Sequence, residues 1–487
     1  MYPFFRKYLF KLDAETAHQL TLNAVRFAGW LPPSCWILQA LYHAPSKPVQ
    51  AFGLTFKNPV GLAAGYDKDA IAIRGLAALG FGHIEVGTIT PLPQPGNPKP
   101  RIFRLIEDEA VINRMGFPSC GTEYVQNRLN SSLAPNWLEL FLGFGPRKPK
   151  PIKKPIPGTV LGINLGKNKS TPNEEAVLDY LALLQNFAPL GDYLTINVSS
   201  PNTEGLRRLQ ARDALEDLLK NLHQQRLIEQ KQLERRVPLL VKLAPDLSNQ
   251  ELDDAVDVIL RTNMDGIIAT NTTVERIGLR SSSRSEDGGL SGKPLKAQSE
   301  AMLQKIVQRV NGQIPVVSSG GIMNPEDAKR RIDMGATLIQ VYTGMVYYGP
   351  GMVKAIVRFL KPFYGIFLSM DEKITIIEGP PPIFEQVSDG WAMGLNESPN
   401  ELVPALTRLR TFNGNALVER CHRAWSSKQP IHLHYRNEMG LEETAPILAA
   451  RNVETPEGNV LLLWVYLDSE HVEYEVDDDD SPDDETE

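Results

Sequence analysis

The residues most able to do chemistry follow a strand-like run at positions 193–198. Pro201 cannot donate a ladder hydrogen bond, so the strand is predicted to stop just before it. Ser200 therefore lies at a strand end, with Asn197 and Asn202 on either side. In α/β barrels this end of the strands carries the chemistry, which makes Ser200 a candidate reaction-centre residue. A polar turn after a buried strand is the alternative, because Ser, Pro and Asn are common turn residues.

A buried lysine and two glycine-containing loops indicate a cofactor. Lys242 interrupts the apolar run 239–243, and an inward ammonium needs an anionic partner, which a reduced flavin would supply. A lysine that extends to the barrel rim is the alternative. The loops 319–322 (SGGI) and 342–344 (YTG) resemble barrel loops that bind phosphate through backbone amides, although ordinary turns are possible.

Small residues in the segment 58–69 (NPVGLAAGYDKD) would let a flat ligand lie against the backbone, with Lys68 at the mouth. A tight turn with a surface lysine is the alternative. Further strand-end polar groups are Asn164, Asn197, Thr270, Asn271 and Thr272. Together these features predict a phosphate-bearing planar cofactor surrounded by amides.

The elements that would position these residues alternate between short apolar runs and helical stretches from about residue 48 onward. Eight strands are predicted, at Pro59–Ala64, His83–Val86, Val160–Asn164, Leu194–Ser199, Leu239–Leu243, Gly266–Thr270, Pro315–Ser318 and Leu338–Tyr342. This succession predicts an α/β fold, a (β/α)8 TIM barrel with insertions.

Composition sets the broad class of the protein. The chain has 487 residues, of which 42% are hydrophobic and 22% charged, as in globular proteins. The net charge is −7, but nine acids lie in residues 475–487, so nothing indicates nucleic-acid binding by the barrel. Cys35, Cys120 and Cys421 have no metal or disulfide spacing, and no metal site is predicted. No secretory signal or apolar run of ~20 residues is present.

Four segments are predicted. Residues 1–45 form two aromatic and basic helices, which either cap a core or lie on a membrane surface. Residues 46–366 form the barrel, within which the basic stretch 145–158 is a solvated linker or a lipid contact. Residues 370–474 form a small α+β accessory domain, and the acidic tail 475–487 is disordered.

The accessory domain is predicted to contain helices and strands. Helices are expected around 401–410 and 416–426, and strands at 373–377, 431–435, 446–451 and 460–467. Residues 416–475 faintly resemble a WYL-type module, a small β-barrel that senses ligands or nucleic acid. His432 and His434 share one strand face, which fits a metal site less well than an exposed face.

Several segments, in order and with compatible spacing, resemble the dihydroorotate dehydrogenase family, in its membrane-associated, quinone-dependent class 2. They are NPVGLAAGYDKD (58–69), EVGTITPLPQPGNPKPRIFRL (85–105), NRMGF (113–117), GINLGKNK (162–169), NVSSPNTEGLRRLQ (197–210), VKLAPDL (241–247), ATNTT (269–273), GGLSGKPL (288–295), SSGGI (318–322) and VYTG (341–344). The family's Tyr-Ser pair is Tyr342-Thr343 here, which keeps the hydroxyl.

The resemblance implies oxidation of (S)-dihydroorotate to orotate in pyrimidine biosynthesis, with Ser200 as the base that takes the proton from carbon 5. The related soluble class uses cysteine there. A serine is a poor base at its ordinary pKa and needs a relay or simultaneous hydride loss. The substrate would be held by Lys68, Asn113, Arg114, Met115, Gly116, Phe117, Asn197, Asn202, Asn271 and Thr272.

The implied cofactor is FMN, which would take the hydride from carbon 6 of the substrate. It would contact Ala64, Gly65, Lys68, Thr88, Asn164, Asn197, Lys242, Thr270, Gly292, Gly321, Tyr342 and Thr343.

A membrane quinone would then receive the electrons through a tunnel under the N-terminal helices, near His18, Arg104 and Tyr342. The resemblance further implies a monomer held peripherally on the cytoplasmic face of the cell membrane. Two alternatives stay open: a soluble-class enzyme that uses fumarate or NAD, and an inactive barrel that carries a C-terminal ligand-binding module.

Overall fold

The computed structural model describes residues 2–132, 158–360, 372–376, 380–386, 402–411, 414–426, 430–437, 440–455 and 458–468. The chain divides into two compact units, Met1–Phe363 and Tyr364–Glu487. Most of the basic stretch 145–158 and all of the acidic tail 475–487 lie outside the described residues.

The first unit contains helices α1 to α12. They span Tyr2–Leu9, Ala14–Trp30, Pro32–Tyr42, Ile73–Ala78, Gly121–Ser132, Ala176–Phe187, Arg212–Leu233, Asn249–Arg261, Lys296–Val310, Pro325–Asp333, Thr343–Tyr348 and Gly351–Phe359. Strands β1 to β13 span Val49–Ala51, Leu54–Phe56, Val60–Leu62, His83–Ile89, Ile102–Leu105, Ala110–Asn113, Val160–Leu165, Tyr193–Asn197, Leu239–Leu243, Gly266–Ala269, Gly289–Gly292, Val316–Ser319 and Leu338–Val341.

Eight of these strands form a closed parallel barrel in the order β3-β4-β7-β8-β9-β10-β12-β13. Each of the eight predicted strands is present within a few residues of its predicted bounds, and the (β/α)8 prediction is confirmed. The register places Asn197 of β8 beside Lys242 of β9, so both side chains point to the same face of the wall. The barrel itself therefore brings an amide and an ammonium together.

The N-terminal end of the barrel is closed by the β1–β2 hairpin. Phe56 is fully buried there and packs edge-on against His83, with 5.4 Å between the ring centroids. Phe52 and Tyr193 complete this aromatic floor. The opposite end is extended by a three-stranded antiparallel sheet in the order β11-β6-β5, which carries Asn113 and Gly292.

The N-terminal segment forms three helices rather than the two that were predicted, because Leu31 takes an extended conformation and Pro32 starts a new helix. Glu15 on α2 accepts two hydrogen bonds from the guanidinium of the buried Arg101, at 2.8 and 3.2 Å. Helix α2 also approaches α4 closely, since a Cβ on Gly29 would lie 2.3 Å from the backbone nitrogen of Gly75. These contacts hold α2 against the barrel.

The second unit contains helix α13, Gly414–Ser426, and strands β14 to β19. The strands span Glu372–Thr375, Glu385–Gln386, Leu402–Thr411, Ile431–Arg436, Glu442–Thr455 and Gly458–Asp468. Their order is β14-β17-β18-β19-β16-β15, with the buried residues of the sheet packed beside Cys421 and Ala424 of α13.

Two expectations for this unit were wrong. The segment expected to be helical around 401–410 is strand β16, because it pairs along its whole length with β19 and tertiary pairing overrides local propensity. The six strands among the described residues form an open sheet and not the small barrel of a WYL-type module.

A buried ion pair joins α7 to the segment before β10 and to the start of β9. The carboxylate of Asp265, just before β10, accepts hydrogen bonds from Arg226 at 2.6 Å and from the Leu239 backbone at 2.8 Å. Both charged side chains are less than 10% exposed. We expect Asp265→Ala to lower the free energy of unfolding by about 3–5 kcal/mol, because it leaves the Arg226 guanidinium buried without its counter-charge. Urea denaturation of the full chain measures this.

The matched control is Glu216→Ala on the same helix, which breaks the exposed i,i+4 pair with Lys220. It should leave the free energy of unfolding almost unchanged, because exposed ion pairs contribute little. Similar small losses in both variants would contradict the structural role assigned to Asp265.

Candidate active site

A cavity with an empty volume of about 1110 Å³ opens at the C-terminal ends of the barrel strands. It brings together nearly all the side chains that the sequence singled out. Those that line it are Ala64, Gly65, Lys68, Thr88, Asn113, Met115, Gly116, Phe117, Asn197, Ser200, Asn202, Lys242, Thr270, Asn271, Thr272, Gly292, Gly321, Tyr342 and Thr343.

Two of the expected substrate and cofactor residues do not line the cavity. Asn164 is fully buried in the wall behind it. The Arg114 guanidinium turns away to Glu286, at 2.8 Å, and lies over the Phe103 ring. The guanidinium also donates to the Pro100 carbonyl, at 3.0 and 3.2 Å, while the Arg114 carbonyl accepts from Asn97.

A chain of amides and hydroxyls forms one wall. The Nδ2 group of Asn197 donates to Thr88 Oγ1 at 3.1 Å and to Asn164 Oδ1 at 3.0 Å. Its Oδ1 accepts from the Ser199 hydroxyl at 3.0 Å and from Asn271 at 3.3 Å. These side chains are therefore held in fixed orientations before any ligand binds.

Glu85 is the anchor of this chain, and sequence reasoning missed it. Its carboxylate is fully buried on β4 and accepts from Asn164 at 2.8 Å and from Gln340 at 2.8 Å. Tyr193 and Thr195 donate to it as well, each at 3.2 Å. The available signal was an acid in the middle of an apolar strand, since carboxylates are almost never buried without partners.

Lys242 is the one charged group that reaches the cavity from within the barrel wall among the described residues. Its ammonium has no hydrogen bond or ion pair with any described residue, although only 5% of the residue is exposed. Burial lowers the pKa of Lys242, and the nearby Glu85 carboxylate partly offsets that effect. An unpartnered ammonium in this position requires an anionic or electron-rich ligand.

Ser200 lies on the loop after β8 and is 5% exposed. Its Oγ accepts a hydrogen bond from the Asn202 backbone at 3.3 Å, a local turn contact that fixes the hydroxyl. Asn202 in turn donates through its side chain to Asn113 Oδ1 at 3.3 Å. Ser200 and the two flanking amides that the sequence singled out, Asn197 and Asn202, all line the cavity.

Lys68 stands at the rim and donates to the Gly65 carbonyl at 2.7 Å. Burial lowers the pKa of Lys68 to about 8, with the nearby Arg101 acting in the same direction and Asp69 opposing it. The side chain is therefore mostly an ammonium at neutral pH and loses that charge in mildly alkaline solution.

The glycine loops after β12 and β13, residues 319–322 and 342–344, line the cavity and are called the anion cradle below. Gly320 and Gly321 both have positive φ, and a Cβ on Gly321 would lie 2.4 Å from the Lys296 backbone. Neither of these two amides donates a backbone hydrogen bond to any described residue. Nearby, the hydroxyls of Ser291 and Thr343 lie 2.8 Å apart, and Ser291 was not predicted from the sequence.

His18 and Arg104 have different surroundings. The His18 ring packs edge-on against Tyr66, whose ring packs on the cavity residue Tyr342, with centroid distances of 4.9 and 5.8 Å. Burial lowers the pKa of His18 to about 3, so the ring is neutral. Arg104 donates to the Leu9 carbonyl at 3.0 Å and lies over Phe10. Their part in a tunnel stays a prediction.

A second cavity, with an empty volume of about 930 Å³, lies beside His18. It shares Lys68 and Met115 with the first cavity, so the two spaces meet at these residues.

The N-terminal helices expose a row of large apolar side chains. Phe27, Trp30, Trp36, Ile37 and Leu41 are between 49% and 68% exposed. Of the helices in the described part of the chain, none is both long enough and apolar enough to traverse a bilayer.

These features suit a reaction in which a proton and a hydride leave neighbouring carbons. Ser200 supplies an oxygen, Lys68 a positive charge at the rim and Lys242 a positive charge at the base. The cradle and the unpartnered Lys242 fit a planar cofactor with a phosphate group.

Comparison with known proteins identifies the family. The sequence model for dihydroorotate dehydrogenase matches residues 47–363. The dihydroorotate dehydrogenase (quinone) of Idiomarina loihiensis is 45% identical over 360 residues, which cover 74% of this chain and 100% of that protein. The corresponding protein of Cronobacter sakazakii is also 45% identical, covering 74% of this chain and 99% of its own length.

Solved structures agree with this result. A crystal structure of DHODH from Eimeria tenella in complex with ferulenol is 40% identical and has a TM-score of 0.61. It covers 71% of this chain and 90% of that chain. With the barrel, the cavity and the matched sequence in agreement, the chain belongs to the dihydroorotate dehydrogenase family.

Proposed function

We propose that this protein oxidises (S)-dihydroorotate to orotate in pyrimidine biosynthesis, with FMN as cofactor and a membrane quinone as the final electron acceptor. The observation that carries the proposal is the pairing, in one cavity, of a serine hydroxyl at the rim with an unpartnered ammonium at the base. The relatives named dihydroorotate dehydrogenase (quinone) support the choice of substrate and acceptor.

Ser200 takes the proton from carbon 5 of the substrate and passes its own hydroxyl proton on to water, while the hydride leaves carbon 6. Its Oγ is already fixed by the Asn202 backbone, so little reorganisation is needed. Asn113 and Asn202, which are hydrogen-bonded to each other, offer further amide groups for the imide part of the ring. Lys68 neutralises the substrate carboxylate, and Asn197, Asn271, Thr272, Met115, Gly116 and Phe117 enclose the ring.

The chain holds FMN at the base of the cavity, where the bound cofactor supplies a hydride acceptor. Lys242 meets the electron-rich part of the ring, and Gly321 and Thr343 meet the phosphate. The remaining contacts come from Ala64, Gly65, Thr88, Asn197, Thr270, Gly292 and Tyr342, while Asn164 holds Asn197 from behind. All of them belong to one chain, which is why we expect a monomer to be active.

Quinone reaches the cavity beneath α1 and α2, where Tyr342, Tyr66 and His18 form an edge-to-face series. Arg104 lies at the α1 side of this region. The exposed row from Phe27 to Leu41 inserts into the interfacial layer of a membrane, in keeping with a peripheral attachment on the cytoplasmic face.

Side-by-side turnover with quinone, fumarate and NAD tests the acceptor. We expect the rate of dihydroorotate oxidation with quinone to exceed the rate with either soluble acceptor by at least about 100-fold. This ratio corresponds to about 2.8 kcal/mol of discrimination, at 1.4 kcal/mol for each factor of ten. A colourless, well-folded protein that cannot be reconstituted with flavin would rule out the cofactor. Preference for fumarate or NAD would instead favour the soluble class.

A chain that lacks residues 2–45 serves as the companion variant. It should retain bleaching of the flavin by dihydroorotate while losing quinone turnover. Equal loss of both would count against quinone access beneath the helices.

Ser200→Ala should slow dihydroorotate-dependent flavin bleaching by about 10²–10⁴-fold while FMN stays bound, because the base that accepts the proton is gone. Stopped-flow absorbance measures this. Ser318→Ala is the matched control, since Ser318 is also a buried barrel serine, its hydroxyl has no hydrogen-bond partner among the described residues and it does not line the cavity. Native-rate bleaching by the Ser200 variant would show that another group is the base.

The affinity for the anionic product orotate should depend on the charge of Lys68. Its pKa of about 8 lies below the ordinary lysine value, so the ammonium is present below pH 8 and lost above it. We expect the dissociation constant of orotate to be constant up to about pH 7.5 and then to rise by up to about tenfold per pH unit. Absorbance titrations of the flavin between pH 6.5 and 9.5 measure this.

Lys68→Arg should flatten that profile, because a guanidinium stays charged throughout the range. Lys57→Arg is the control, since burial lowers the pKa of Lys57 to about 8 as well, yet this lysine bonds Thr159 and does not line the cavity. An unchanged profile in the Lys68 variant would show that another group governs the binding.

A further inference from the structure

Arg331 on α10 is a fully buried arginine behind the anion cradle. It does not line the cavity, and the reaction proposed above does not use it. A buried guanidinium is costly unless its surroundings require it, so its contacts identify what it holds.

One nitrogen of Arg331 shares its two hydrogens among three acceptors. Its Nη2 group donates to the Gly320 carbonyl at 2.9 Å, to Ser299 Oγ at 2.7 Å and to the Lys296 carbonyl at 3.2 Å. The single hydroxyl hydrogen of Ser299 is shared between the Gly320 carbonyl at 2.9 Å and the Lys296 carbonyl at 3.0 Å. The oxygen of Gly320 is therefore fixed by two donors on the side of α9 and α10.

Peptide geometry transmits that constraint to the cradle. The Gly320–Gly321 bond is trans, so the Gly321 N–H points opposite to the Gly320 carbonyl. Because the carbonyl faces Arg331 and Ser299, the N–H faces the cavity, which Gly321 lines. This N–H donates to no backbone acceptor among the described residues, which leaves it free for a ligand.

The charges around Arg331 leave it only partly compensated. Lys296 is paired with Asp327, and Glu300 approaches Arg331 Nε no closer than 3.6 Å. Its Nε and Nη1 groups donate no hydrogen bond to any described residue. Burial lowers the pKa of Arg331 to about 10, and the guanidinium is still a cation at neutral pH.

We propose that Arg331 is a positioning residue that gives the cofactor site its selectivity for a phosphorylated flavin, by holding the Gly320–Gly321 peptide with its N–H toward the phosphate. The inference rests on the proposed function, because it takes the FMN site as given. The cation polarises the peptide from behind, and the dianion meets the peptide's positive end.

Riboflavin is the probe that isolates this effect, because it has the ring of FMN and no phosphate. We compare the dissociation constants of FMN and riboflavin for apoprotein prepared from the full chain, by flavin fluorescence. Wild-type protein should prefer FMN. In Arg331→Gln we expect FMN to bind about 10- to 100-fold more weakly, the range for hydrogen bonds to charged groups, while riboflavin affinity stays within about threefold.

Three further variants define the interpretation. Arg331→Lys should recover part of the preference, because it restores a cation and one donor. Lys329→Gln, on the same helix and exposed, removes the same formal charge without touching the loop and should leave both affinities unchanged. Ser299→Ala removes one of the two donors to Gly320 and should weaken FMN alone by about three- to tenfold; this variant decides the matter if Arg331→Gln does not fold.

The outcomes are distinct. A wild-type protein that binds neither flavin would overturn the proposed function. A wild-type preference for FMN that persists in Arg331→Gln, or in Ser299→Ala if the first variant is unfolded, would overturn the role of Arg331 only. Equal weakening of FMN and riboflavin would show a general structural role and would also overturn it.

Discussion

The interior of the barrel contains a carboxylate, Glu85, and an ammonium, Lys242, that are not equally satisfied. Four side-chain donors surround the carboxylate, whereas the ammonium has no hydrogen-bond partner among the described residues. Burying an ammonium without a partner is costly, and such groups cluster at functional sites, where a ligand supplies the missing partner. The rest of the site is arranged around that imbalance, with the negative charge buried in the wall and the positive charge left at the cavity.

The carboxylate also sets the orientation of the amides. A carboxylate only accepts hydrogen bonds, so Asn164 must turn its NH2 group toward Glu85 and its oxygen toward Asn197. Asn197 must then donate to that oxygen and present its own oxygen to Ser199 and Asn271. One buried charge thereby fixes a series of groups that ends beside Ser200, and the same logic of fixing a dipole from behind applies to Arg331 and Gly320.

The sequence was sufficient for the barrel and for most of the cavity, because strand ends in a (β/α)8 fold converge and the local motifs are specific. It was insufficient where a residue acts through packing. Glu85 reads as one acid in a short strand, and Arg331 reads as one base in a charged helix. Arg114 was expected at the substrate from its place in a motif, but its side chain is drawn away by Glu286. Strand β16 looked helical because its partner, β19, lies far along the chain.

The β1–β2 hairpin closes the N-terminal end of the barrel, so ligands reach the interior from the opposite end. Ligands therefore enter and leave at the C-terminal ends of the strands. Helix α1 lies at this end, where the Tyr2 hydroxyl donates a hydrogen bond to the Val346 carbonyl at 2.5 Å. The closed end and the open end of the barrel therefore have different roles. Substitutions of Phe52, Phe56 or Tyr193 affect the stability of the barrel. Substitutions at the open end affect the entry and release of ligands.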